Sequence, residues 1–166
     1  MKKVLLIALG ACLFAACNKN LDDDGPIDAS KQKMLMDKAW QLKAYTINPN
    51  INDTNSFPQD QYQNLPDCIK DNYYIFNDQH TLSLYDHYQK CTMSQPDTVA
   101  FYYTLTNDEK YLTVWSDPDD LDHTMIMHGN MTYPSVDSFV LTWQDYDSTT
   151  EITSESVQTY VKQIPD

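Results

Sequence analysis

From Trp40 onward the chain alternates apolar and polar residues with a period of two. Trp40, Leu42 and Ala44 interleave with Gln41, Lys43 and Tyr45, the pattern of a strand with one face turned to a core. Similar strand-forming runs recur over Tyr73–Asn77, Thr81–Asp86, Val99–Leu105, Tyr111–Ser116, His123–Gly129, Ser138–Trp143 and Ser156–Gln163, which predicts about eight strands. Turn-forming clusters separate many of them: Asn77-Asp78-Gln79-His80, Thr106-Asn107-Asp108-Glu109, Ser116-Asp117-Pro118-Asp119 and Asp145-Tyr146-Asp147-Ser148, whose side chains favour tight reversals. Strands joined this way form an antiparallel meander. So long a meander must hide its edges, by closing into a barrel or folding into a sandwich. Val99, Phe101, Tyr103 and Leu105 share one face, as do Leu82 and Leu84, Leu112 and Val114, and Phe139, Leu141 and Trp143. One apolar face per strand suits a barrel interior, with Thr, Gln, Asp and Tyr left for solvent.

Ahead of the strands, Ser30 is placed to cap a short helix over Lys31–Lys38, with Met34, Leu35 and Lys38 on one side. The preceding residues have another character. Lys2 and Lys3 form a basic start, Val4–Phe14 is a nearly unbroken apolar run, and Ala15-Ala16 supplies small residues before a cleavage point. The run is shorter than the ~20 residues of a membrane-spanning helix. Phe14-Ala15-Ala16-Cys17 resembles the lipobox of bacterial lipoproteins, which implies a diacylglyceryl group on the Cys17 thiol and cleavage just before it. Leu9-Gly10-Ala11-Cys12 is a rival match, but cutting there would leave Leu13-Phe14-Ala15-Ala16 at the start of the mature chain. After Cys17 the sequence turns polar at once, with Asn18-Lys19-Asn20. The plainer alternative is a cleaved signal peptide without lipid. Each buried methylene of an acyl chain contributes ~0.8 kcal/mol, so one chain holds marginally and two or three hold firmly.

Residues 17–30 read as an acidic, flexible tether, with too little apolar surface to offset ordering. Asp22-Asp23-Asp24 behind the lipidated cysteine resembles the acidic export signal of some outer-membrane lipoproteins; a solvated spacer is the alternative. The organisation expected is therefore a leader over 1–16, a tether over 17–30 and one folded domain over 31–166. The implied address is the cell envelope, at the outer membrane, facing either the periplasm or the outside.

Charge narrows the partners. The formal net charge is −13 and every basic residue is a lysine; removing Lys2 and Lys3 with the leader takes it from −13 to −15. No basic stripe exists for phosphate backbones, so nucleic acid is disfavoured.

The segment from Lys38-Ala39-Trp40-Gln41-Leu42, a long polar loop, Cys68-Ile69-Lys70-Asp71-Asn72-Tyr73-Tyr74-Ile75-Phe76, a hairpin and a second cysteine at Cys91 resemble bacterial lipocalin-like lipoproteins over Met34–Gln163. Lys38 stands where the glycine of a Gly-x-Trp motif would be, and Gln79-His80 replaces an Asp-Gly turn. The resemblance implies a lipocalin-like barrel that holds a small hydrophobic or aromatic ligand. With Cys12 discarded and Cys17 lipidated, Cys68 and Cys91 are the pair left for a disulfide in an oxidising compartment.

Candidate cavity residues are Trp40, Tyr74, Phe76, Phe101, Tyr103, Leu112, Leu141 and Trp143, though in a domain this small the same set reads more readily as packed core. Ile47–Pro66 is a long polar stretch without an evident element, and Phe57 and Tyr62 make it a candidate lid, with a plain insertion as the alternative. Asp117, Asp119, Asp120 and Asp122 crowd one turn, but their spacing is not that of an EF-hand loop. His80, His87, His123 and His128 lack zinc-site spacing, and three glycines leave little room for nucleotide loops or a nucleophile elbow. No metal, cofactor or catalytic residue is therefore expected. The readings carried forward are a non-enzymatic ligand binder, or an interaction module docking a protein or glycan through its tyrosine-rich outer face.

Overall fold

The computed structural model describes residues 33–36, 38–77, 80–94, 96–106, 108–116 and 124–163. The alternating segments are strands: β1 (Ala39–Asn48), β3 (Tyr73–Phe76), β4 (Thr81–Tyr85), β5 (Thr98–Thr106), β6 (Tyr111–Trp115), β7 (Met125–Ser135), β8 (Ser138–Asp147) and β9 (Ile152–Gln163), with a two-residue β2 (Gln59–Asp60) between the first pair. β1 pairs antiparallel with β3, and each strand from β3 to β8 pairs antiparallel with its successor. β1 and β9 then join from Ala39↔Gln163 to Asn48↔Glu155, closing an eight-stranded barrel. Closure leaves no long edge open, which is how an all-β chain avoids edge-to-edge association. The first half of β1 meets β3 and its second half meets β2, through Thr46↔Asp60 and Ile47↔Gln59.

The barrel is solid at one end. Leu35, Trp40, Phe76, Tyr103, Leu112, Phe139 and Leu141 are fully buried there. Aromatic edges meet aromatic faces: Trp40 on Phe139 at 4.9 Å and Phe76 on Tyr103 at 5.1 Å between centroids, geometries favoured by the ring quadrupoles. Two of the rings have their polar tips satisfied: the Trp40 indole N–H donates to the Leu35 carbonyl at 2.7 Å and the Tyr103 hydroxyl to the Asn77 carbonyl at 2.9 Å.

Several boundaries differ from expectation. Helical residues end at Leu35, because Met36 already bridges Phe76 as a parallel strand residue; Ser30 and Lys31 lie outside the described residues. β7 runs past Gly129 to Ser135, and its Pro134 falls where the β7–β8 register shifts between Thr132 and Ser135, a place that tolerates a missing donor. The β8–β9 reversal comes after Asp147 rather than at Asp145. The Asp147 carboxylate accepts from the Thr149 amide and the Thr150 hydroxyl, each at 2.8 Å, which fixes the turn there. Gly129 has φ +149°, and a Cβ added to it would stand 2.7 Å from the Thr142 carbonyl oxygen.

Candidate functional site: a cavity at the open end of the barrel

Toward the opposite end the interior is not filled. A cavity of about 400 Å³ opens there, within the range of pockets for small organic ligands. Leu42 and Tyr45 of β1, Tyr74 of β3, Leu82 and Leu84 of β4, Phe101 of β5 and Val114 of β6 make one side of the wall. Met125, Ile126, Met127 and His128 of β7, Trp143 of β8, and Gln158 and Tyr160 of β9 make the other. Aromatic rings stand close around it: Tyr45 stacks on Trp143 at 6.3 Å, and Tyr74 meets Tyr160 edge-on at 5.5 Å.

The polar equipment is small: the Tyr45, Tyr74 and Tyr160 hydroxyls, the Gln158 amide and the His128 imidazole. Among the described residues no lysine, aspartate or glutamate lines the cavity. The Tyr160 hydroxyl donates to Gln158 Oε1 at 2.8 Å. Gln158 thus keeps its amide N–H groups, for which no acceptor is present among the described residues. Burial pushes the Tyr74 phenol up to about 12. It also raises Tyr160 well above its ordinary value, helped by the neighbouring Tyr74 and Tyr45. Both are therefore neutral hydrogen-bonding groups at physiological pH.

A cap covers part of the mouth. Leu65 and Ile69 line the cavity from the chain between β1 and β3, which carries a turn of 3-10 helix (Tyr62–Asn64) and a short α-helix (Asp67–Lys70). Cys68 in that helix is disulfide-bonded to Cys91 in the β4–β5 connection. Around this bond the Asp71 carboxylate accepts from the Tyr88 and Gln89 amides at 3.0 Å, and the Gln41 amide donates to the Lys70 carbonyl at 2.7 Å. Asn72, with its amide oriented to suit its neighbours, donates to Asp86 Oδ1 and the Cys68 carbonyl. The cap is thus held to two walls of the barrel at once.

The sequence candidates separate into two groups. Tyr74, Phe101 and Trp143 line the cavity; Trp40, Phe76, Tyr103, Leu112 and Leu141 fill the closed end instead. Tyr62 packs against the core with the Lys70 ammonium 5.6 Å from its ring centre. Phe57 is 71% exposed and does not line this cavity. Its loop is drawn aside by the Ile51 amide bonding to the Thr153 carbonyl and by Ser56 bonding to Asn48 Oδ1. Leu65 and Ile69 supply the cover that Phe57 and Tyr62 were expected to give. Also missed were Gln158 and Tyr160, because β9 turns Ser156 and Tyr160 inward while Val157 and Val161 stay partly exposed. Its apolar residues point to the wrong face for a simple alternation reading.

Cys17 and the leader, the acidic tether, Asp117, Asp119, Asp120, Asp122 and His123 lie outside the described residues. Among the described residues no group of three or more His, Cys, Asp or Glu is placed to hold a metal ion. No family profile matches the chain, and no curated protein is similar to it.

Proposed function

We propose that this protein is a lipid-anchored lipoprotein of the cell envelope, whose lipocalin-like barrel binds a small hydrophobic or aromatic molecule without transforming it. One observation carries the binding reading: a capped, aromatic-walled cavity of about 400 Å³ sits above a fully packed core. A barrel built only as a scaffold gains nothing from leaving that space unfilled, since interiors pack to high density and voids cost stability. Anchoring rests on the leader and on Cys17, and the tether Asn18–Ser30 would hold the barrel away from the lipid surface. Asp22-Asp23-Asp24 supports export to the outer membrane.

Two experiments test this. Cells fed an alkynyl fatty acid should label the wild-type protein and leave Cys17→Ala unlabelled; equal labelling of both removes Cys17 as the anchor. Screening the soluble domain by thermal shift against neutral aromatic and sterol-like compounds should give at least one saturable rise in Tm. A flat response across the library counts against a ligand site. The second reading, a docking module for a protein or glycan, is favoured by the exposed rings of Tyr85, Tyr88, Tyr102 and Tyr146.

A further inference from the structure

Resting on that reading of the cavity as a ligand site, we infer that it selects an uncharged, flat aromatic or polycyclic molecule with a carbonyl-type acceptor, and that Gln158 reads the acceptor. The selection against charge follows from what the wall lacks. Among the described residues no lysine faces the cavity to receive a carboxylate, sulfonate or phosphate, no carboxylate faces it to receive an ammonium, and its one imidazole, His128, stands beside the Trp143 ring. The chain has no arginine, and its net charge of −13 adds long-range repulsion of anions. An ion entering the cavity would shed water without gaining a partner of fixed opposite charge among the described residues, and an unpaired charge is the costliest group to bury.

The preference for a flat ring system follows from the Tyr45–Trp143 stack and the Tyr74, Phe101 and Tyr160 rings. These offer faces and edges to a planar π-system. Met125 and Met127 on the β7 side add flexible thioether contacts that adapt to ring shape. Orientation comes from Gln158. Its Oε1 is engaged by the Tyr160 hydroxyl, which fixes the amide plane, and its nitrogen remains a donor at the cavity wall. A ligand carbonyl would complete that network, whereas a pure hydrocarbon would leave the donor unmatched.

Matched probes separate these claims. N-phenyl-1-naphthylamine is neutral, and 1-anilinonaphthalene-8-sulfonate is the same skeleton bearing a fixed negative charge. The neutral probe should bind at least about tenfold more tightly, and the preference should persist at high salt, where long-range repulsion is screened. The neutral ketone 6-propionyl-2-dimethylaminonaphthalene reports hydrogen bonding to its carbonyl by a red-shifted emission. Gln158→Leu should shift its bound emission to the blue and weaken its binding about three- to tenfold. Unchanged far-UV circular dichroism and cooperative thermal unfolding of the variant control for folding. Equal or tighter binding of the sulfonate overturns the selection against charge. An unchanged ketone emission and affinity in Gln158→Leu overturns the role of Gln158. Failure of every probe to bind wild type is a separate result, which removes the ligand site itself.

Discussion

Trp40 shows how much one side chain does at the closed end. Its ring is fully buried edge-on to Phe139, its N–H is satisfied by Leu35, and the Lys38 ammonium lies 5.4 Å from its ring centre. Trp40→Ala should cost ~3–5 kcal/mol in urea unfolding, and a loss under ~1 kcal/mol would deny it this place in the core. Gly129 is the opposite case, needed for what it lacks. Gly129→Ala meets both the positive φ and the Thr142 carbonyl, so a loss of ~1–3 kcal/mol is expected in the same assay. Tyr74 gives a pH dependence. Its folded phenol is raised from 10.0 to about 12, so between those values the folded state keeps a proton that the unfolded chain has released. This group's contribution is therefore complete below pH 10 and falls as pH rises toward about 12. Across that window Tyr74→Phe should lose less stability than wild type, and parallel profiles would contradict the assignment. Of these three residues, Trp40 was legible as interior from alternation alone, whereas the demand on Gly129 depends on a cross-strand carbonyl that no local pattern reveals.

At the scale of elements, the period-two pattern located most of the barrel strands because each buries one face, and a half-buried strand writes that asymmetry into its sequence; β9 was located by its strand-forming residues although its valines stay partly exposed. Strand ends were less legible. The extension of β8 and β9 toward their turn carries exposed polar pairs such as Gln144↔Glu155 and Asp145↔Ser154, which pair through the backbone and need no apolar signature. The cap was hidden for another reason. Leu65 and Ile69 are isolated apolar residues in a polar stretch, and only the tie from Cys68 to Cys91 brings them over the mouth. The cysteine pair itself was readable, since assigning Cys12 and Cys17 to the expected leader and lipobox left one pairing, the one the structure has. Replacing both cysteines by serine releases a constraint across 23 residues and should lower stability by ~3 kcal/mol in chemical denaturation. It should also speed release of a bound neutral probe in stopped-flow, because the cap then rests on hydrogen bonds alone. An unchanged off-rate would mean that the cap does not gate the cavity.

The whole molecule combines an acidic exterior, a closed sheet and an interior divided between a packed half and a hollow half. The division explains why the sequence could not separate cavity from core: Tyr103 and Phe101 lie two apart on one strand, yet one fills the closed end while the other lines the open end. Alternation reports which face is inside and says nothing about depth along the barrel. The central claim is that the hollow half is where a ligand sits. Its most direct test is an amide NMR titration of the folded domain with N-phenyl-1-naphthylamine. Saturable shifts are predicted at Tyr45, Tyr74, Phe101, Met127 and the Trp143 indole, with Trp40 and Leu112 scarcely moved. Shifts gathered instead on Tyr85, Tyr88, Tyr102 and Tyr146, or no saturable shift at all, would contradict it.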